Sequence, residues 1–138
     1  MKALRWITVF GTVLAMSGLL FVSVAQAAEI DLFARLAGSS AFPNATGTSE
    51  YDRGAEGRDV EITVRHIAKL AGKRVTFYVA GHKIGTAIVR STGVAHIERD
   101  TEHGQYVPKA SAGKGVSART VGGTVIARGI YHAEVDND

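Results

Sequence analysis

A chain without cysteine must find its metal ligands and general bases among histidines, carboxylates and hydroxyls, and this one carries five histidines: His66, His82, His96, His103 and His132. Zinc and similar metals take imidazole and carboxylate together, and on a strand two ligands reach one ion when they stand two residues apart, because alternate side chains share a face. No two of the histidines have that spacing. His96 and Glu98 do, and so do Asp100 and Glu102, within the segment HIERDTEH. Residues 96–103 are therefore the best metal candidate, with His96, Glu98 and His103 as ligands and His132 as a fourth. The same residue types also suit the exposed side of an edge strand and its loop.

Other chemistry is harder to place. The stretch VAGHKIGTAIV, residues 79–89, puts two glycines, a lysine and a threonine close together, as a phosphate-binding loop would. Such a loop must run from a strand into a helix whose first amides face the anion. Here the β-branched TAIV follows instead, so Ala80-Gly81-His82-Lys83 is expected to be a hairpin turn. SAGKGVS, residues 111–117, leads into another strand-like run and fails for the same reason. Asp59 and Glu61 share one strand face, as the two carboxylates of a hydrolase would. Arg58, Arg65 and Arg74 nearby offer cross-strand ion pairing as the simpler account. No Gly-x-Ser-x-Gly elbow is present, and the terminal EVDND lacks the spaced ligands and glycine of a calcium loop. No catalytic residue is assigned, and no cofactor is implied.

The elements that would position these groups are strands. Apolar residues recur with a period of two in EIDLFARLAG, DVEITVRH and RVTFYVAG, where Val60, Ile62, Val64, Val75, Phe77 and Val79 are expected to share one core. Further strands are read at 48–54, 82–91, 93–100, 115–121 and 123–132, separated mostly by glycine-bearing breaks. Only residues 64–73 have the makings of a short helical turn. The expected fold is all-β, a single antiparallel β-sandwich of about seven or eight strands. On that alternation Tyr78 and Phe33 point away from the core, and with Arg35 and Arg65 nearby they form a candidate recognition surface, since aromatics and arginine are favoured at interfaces.

The first 27 residues read as a secretory leader: Lys2 and Arg5, an apolar stretch, and Ala25-Gln26-Ala27. The exported domain then spans 28–132, followed by an acidic tail at 133–138. The alternative is retention as a membrane anchor, because the apolar stretch is about long enough to span a bilayer. Loss of Lys2 and Arg5 from the chain's 16 basic side chains leaves 14 against 13 acidic ones, which argues against a nucleic-acid partner and against a membrane partner after cleavage. With no disulfides, the domain must stand on its core.

LFARLAGSSAFPNATGTSEY resembles the start of small secreted CHRD-type domains, in which a strand ending in Leu-x-Gly leads through a proline-bearing loop to a Thr-Gly return. The chain is equally similar to uncharacterised small secreted bacterial domains whose pattern continues as LAGKRVTFYVAGHKIGTAIV and GQYVPKASAGKGVSARTVGGTVIARGIY. The resemblance implies an antiparallel β-sandwich in a bacterial secreted or periplasmic protein and supplies no activity. Where the CHRD pattern has a His-x-His strand, this chain has His96-Ile97-Glu98.

The leading reading is a non-catalytic exported module for binding, adhesion or structural roles at the cell envelope, its partner an unknown envelope or extracellular protein or glycan. The alternative is a small metal-binding domain built on His96, Glu98 and His103. A hydrolase using Asp59 and Glu61 is the third. Cleavage after Ala27 is expected to leave a mature chain beginning at Ala28, which N-terminal sequencing of exported material checks; an intact leader in the membrane fraction would replace the free domain with an anchored one.

Overall fold

A computed structural model describes residues 29–134; the leader, its cleavage site and the last four residues lie outside the described residues. Nine strands follow one another: β1 Ile30–Gly38, β2 Thr46–Gly54, β3 Gly57–Arg65, β4 Arg74–Val79, β5 His82–Ile88, β6 Ala95–Asp100, β7 Gly115–Thr120, β8 Val125–Ile130 and β9 His132–Ala133. Two short 3-10 turns, Ala68–Leu70 and Thr101–His103, are the only helical pieces among them. No helix of the described residues is long and apolar enough to cross a membrane. The short turn expected within 64–73 is present. The strand structure runs one residue into the acidic tail expected from residue 133, because Ala133 still pairs with Leu32 of β1.

Every pairing is antiparallel, and eight strands form one continuous sheet in the order β5-β4-β7-β8-β1-β2-β3-β6, with β9 paired to β1 off that path. The two layers of the expected sandwich are thus halves of a single sheet that curls round one hydrophobic cluster. Its two end strands meet at a seam. There the Arg99 Nε of β6 donates to the Ile84 carbonyl of β5 at 3.1 Å, and Gly85 leaves room for the guanidinium, which a Cβ at that position would strike.

The hairpin between β4 and β5 settles the glycine-rich stretch. Val79 pairs with His82, so the loop is the two residues Ala80 and Gly81, both with positive φ at 49° and 81°. That is the twist-matched two-residue hairpin turn, which needs the left-handed region at both positions. No helix follows, and the anion-loop reading has no structural counterpart.

β1 divides its second edge between two partners. Ala37 and Gly38 pair with β8, while Leu32 and Phe33 pair with β9. Between those segments the chain departs from the ladder at Tyr131, whose ring is fully buried and whose hydroxyl meets the Ser49 hydroxyl of β2 at 2.7 Å. Gly129 permits the crossing, since a side chain there would collide with the Arg35 carbonyl. The single strand expected over 123–132 is therefore two, parted because a bulky residue is more stable inside than in register.

The six residues expected to share a core do so: Val60, Ile62, Val64, Val75, Phe77 and Val79 are all buried. Thr76 has the outward phase of β4, opposite to Val75 and Phe77, and is nonetheless sheltered. It is 8% accessible, because β4 is an interior strand and the short threonine lies between Thr86 of β5 and the longer Arg119 of β7. Phe77→Ala should cost roughly 3–5 kcal/mol in denaturant unfolding, and a loss under about 1 kcal/mol would show that the ring contributes little to the core.

Candidate metal centre and the acidic outer face

Pairing β3 with β6 passes over β4 and β5 in the sequence, and it determines which side chains become neighbours on the outer surface. Along β3, Val60, Ile62 and Val64 point in, so Asp59, Glu61, Thr63 and Arg65 point out. The register sets Thr63 opposite His96, Glu61 opposite Glu98 and Asp59 opposite Asp100. On the other side of β3, Thr48, Glu50 and Asp52 of β2 occupy the same three levels, and beyond them stand Arg35, Phe33 and Asp31 of β1.

The outer face is therefore a lattice of three rows. Arg35-Thr48-Thr63-His96 is the first, Phe33-Glu50-Glu61-Glu98 the second, and Asp31-Asp52-Asp59-Asp100 the third. Directly opposite residues in adjacent antiparallel strands lie about 4.5–5.5 Å apart, where like charges repel. The expected pairing of Asp59 and Glu61 with arginines directly across the strand is not what the register provides. Carboxylates face carboxylates instead.

Protonation relieves part of this crowding. The carboxyl of Asp31 is pushed up to about 7, chiefly by the hydrogen bond it shares with Asp52, then by desolvation and by the charges of Asp52, Glu29 and Glu134. A bond between two carboxyls requires a proton on one of them. Glu61 is raised for related reasons: desolvation comes first, then the hydrogen bond to Glu98 and its charge, with His96 opposing.

Glu61, His96 and Glu98 each offer a ligand atom, and the three atoms lie within 4.8 Å of one another. His96 is oriented from behind: its Nδ1 meets the Thr63 hydroxyl at 2.9 Å, which leaves Nε2 for an ion. Fixing one ring nitrogen in this way is how outer groups hold a ligating histidine in position. One imidazole with two carboxylates suits zinc or a neighbouring first-row divalent ion, with solvent or a partner completing the coordination.

Only part of the expected ligand set assembles. His96 and Glu98 come together as their spacing predicts. His103 meets Asp100 instead, with Nδ1 at 3.5 Å from Oδ2, and is not in the group. His132 stands on β9 opposite Phe33, on the far side of β1, β2 and β3 from His96. Glu61 supplies the third position. Its sequence signal was the outward phase it shares with Asp59, but the residue across from it is set by a strand pairing that local spacing does not reveal.

The candidate recognition residues are divided between the two halves of the sheet. Phe33 is half-buried on β1, while Arg35 and Arg65 are exposed and line a shallow hollow of about 260 Å³ with Thr46, Gly47 and Thr48. Tyr78 lies in the other half, on β4, beneath the Arg119 guanidinium at 4.8 Å from its ring centre. No protein-family model matches the chain, and no curated protein matches it either.

The raised carboxyls carry a sign. A carboxyl whose folded-state pKa exceeds the unfolded value binds its proton more tightly in the fold, so stability falls as pH rises between the two values. For Asp31 that window runs from 3.8 to about 7. Carboxyl NMR should show Asp31 titrating near the top of it, and Asp52→Asn should return Asp31 toward the ordinary carboxylate range and flatten the decline in stability. An unchanged titration in that variant would place the cause elsewhere.

Proposed function

We propose that the chain is a non-catalytic exported module that binds at the cell envelope or outside it, using the outer face of β1, β2, β3 and β6. The observation that carries this reading is the lattice of seven carboxylates, Asp31, Glu50, Asp52, Asp59, Glu61, Glu98 and Asp100, held in two cross-strand rows. The interior of the sheet supports it, because Tyr51, Tyr131, Phe77 and Leu32 are packed into the core at 0–1% accessibility, so a ligand is met on the outside. A face of this charge selects cationic ligands, whether ions or basic patches of a partner.

A second reading is favoured by Glu61, His96 and Glu98 together: a divalent metal ion seated on that same face. It amends the ligand set expected from the sequence by exchanging His103 for Glu61.

One experiment addresses both. The exported protein is titrated with zinc by calorimetry and, separately, passed over immobilised envelope material. His96→Ala should abolish zinc binding, and Thr63→Val should weaken it by about tenfold or more. Glu50→Lys with Glu98→Lys should abolish retention on envelope material. Retention equal to that of the unaltered protein removes this face from the reading, and absence of zinc binding in the unaltered protein removes the metal.

A further inference from the structure

The carboxylates on the outer face have a counterpart in the same molecule. β4, β5, β7 and β8 contain no Asp or Glu at all, and neither do residues 62–97 or 103–133 of the chain. Their charged side chains are Arg74, Lys83, Arg119 and Arg128, together with His82. Register places Lys83, Tyr78, Ser117 and Arg128 in one cross-strand row and Thr86, Thr76 and Arg119 in the next. On these strands Val75, Phe77 and Val79 point inward, so both rows lie on the outside. Seven outward carboxylates on one half of the sheet, against Arg35 and Arg65, thus answer four outward cations and no carboxylate on the other.

The apolar surface follows the same division. Ile88 at the end of β5 and Ile130 at the end of β8 are each 53% accessible, and Val121 in the β7–β8 turn is 75% accessible. All three lie in the basic half. On the acidic half, Phe33 is the large apolar side chain within the rows of carboxylates. Ion pairs at a surface contribute little singly, but opposed rows of charge with apolar groups among them orient and hold a contact.

We propose that the acidic outer face of one copy docks on the basic outer face of a second copy. This rests on the reading above that the acidic face binds, and it names the partner. Because the two faces belong to different halves of one curled sheet, a copy cannot satisfy its own. A two-fold contact of acidic face on acidic face would set like charges together, so the contact is head-to-tail. A head-to-tail contact that does not close into a ring continues into an open chain, which suits an exported protein with a structural role.

The test is sedimentation of the protein recovered from an exporting host. At about 10 mM salt, where the Debye length is about 30 Å, the average mass should rise with concentration to at least about twice that of the monomer, and at about 1 M salt, where it is about 3 Å, the protein should return to monomer. Lys83→Glu with Arg128→Glu cancels the net charge of the basic face and leaves the acidic face intact, whereas Glu50→Lys with Glu98→Lys nearly cancels that of the acidic face and leaves the basic face intact. Each variant alone should stay monomeric at low salt, and an equal mixture of the two should associate. Melting curves establish that both are folded, and Lys83→Gln with Arg128→Gln, which removes charge without reversing it, should give an intermediate loss. A protein monomeric at low salt, or variants that associate alone as the unaltered chain does, would overturn the proposal. If self-association fails while Glu50→Lys with Glu98→Lys still abolishes retention on envelope material, the acidic face remains the binding face and its partner is a different molecule.

Discussion

The bond between the Tyr131 and Ser49 hydroxyls, 2.7 Å long inside the core, is the interaction on which the arrangement of the last strands depends. Burying a tyrosine brings much apolar area out of water, but its hydroxyl must find a partner there. Ser49 supplies one from the inward face of β2, where an apolar residue would otherwise be expected. With that end satisfied, residue 131 turns inward, the strand parts into β8 and β9, and β1 gains two partners along one edge. Tyr51 lies alongside, its ring centre 5.8 Å from that of Tyr131. Its hydroxyl donates to the Pro108 carbonyl and accepts from the Ala110 amide, which ties the long connection between β6 and β7 to the same core. Both phenols are held above their ordinary pKa, chiefly by desolvation, so the network stays neutral.

The inward and outward faces come from one alternation. In β3, Val60, Ile62 and Val64 fill the core while Asp59 and Glu61 must stand in water, and no shift by one residue preserves both. The charge lattice is therefore fixed as firmly as the core. Its like-charge crowding is a cost the fold carries, visible in the raised carboxyls of Asp31 beside Asp52 and of Glu61 beside Glu98, and cations arriving from outside would relieve it.

Much of the fold was legible because it is local. Alternation identified the strands and their buried faces, and the β-branched run after Gly85 marked Ala80-Gly81-His82-Lys83 as a hairpin rather than an anion loop. What was not legible is non-local. Glu61 reaches Glu98 only because β3 and β6 become neighbours across more than thirty residues of chain, and the phase of a single strand says nothing about its partner. The shelter of Thr76 is hidden for a related reason: alternation gives the direction of a side chain, while its accessibility depends on the size of what stands beside it. His103 was placed with His96 by proximity in sequence, but β6 ends at Asp100 and the 3-10 turn at Thr101–His103 takes His103 off the strand and against Asp100.

The seam between β5 and β6 differs from every other junction in the sheet, since a guanidinium on a backbone carbonyl stands where a ladder of amide bonds would be. Such a junction has no regular pairing to lose and is closed by Arg99 and by the packing of Ile84 and Ile97 in the core, so it is the line along which the curled sheet would first unroll. Unrolling there bares two strand edges at once, and bare edges recruit further strands. Arg99 is in that sense a latch, and Gly85, by leaving it space, is the notch that receives it.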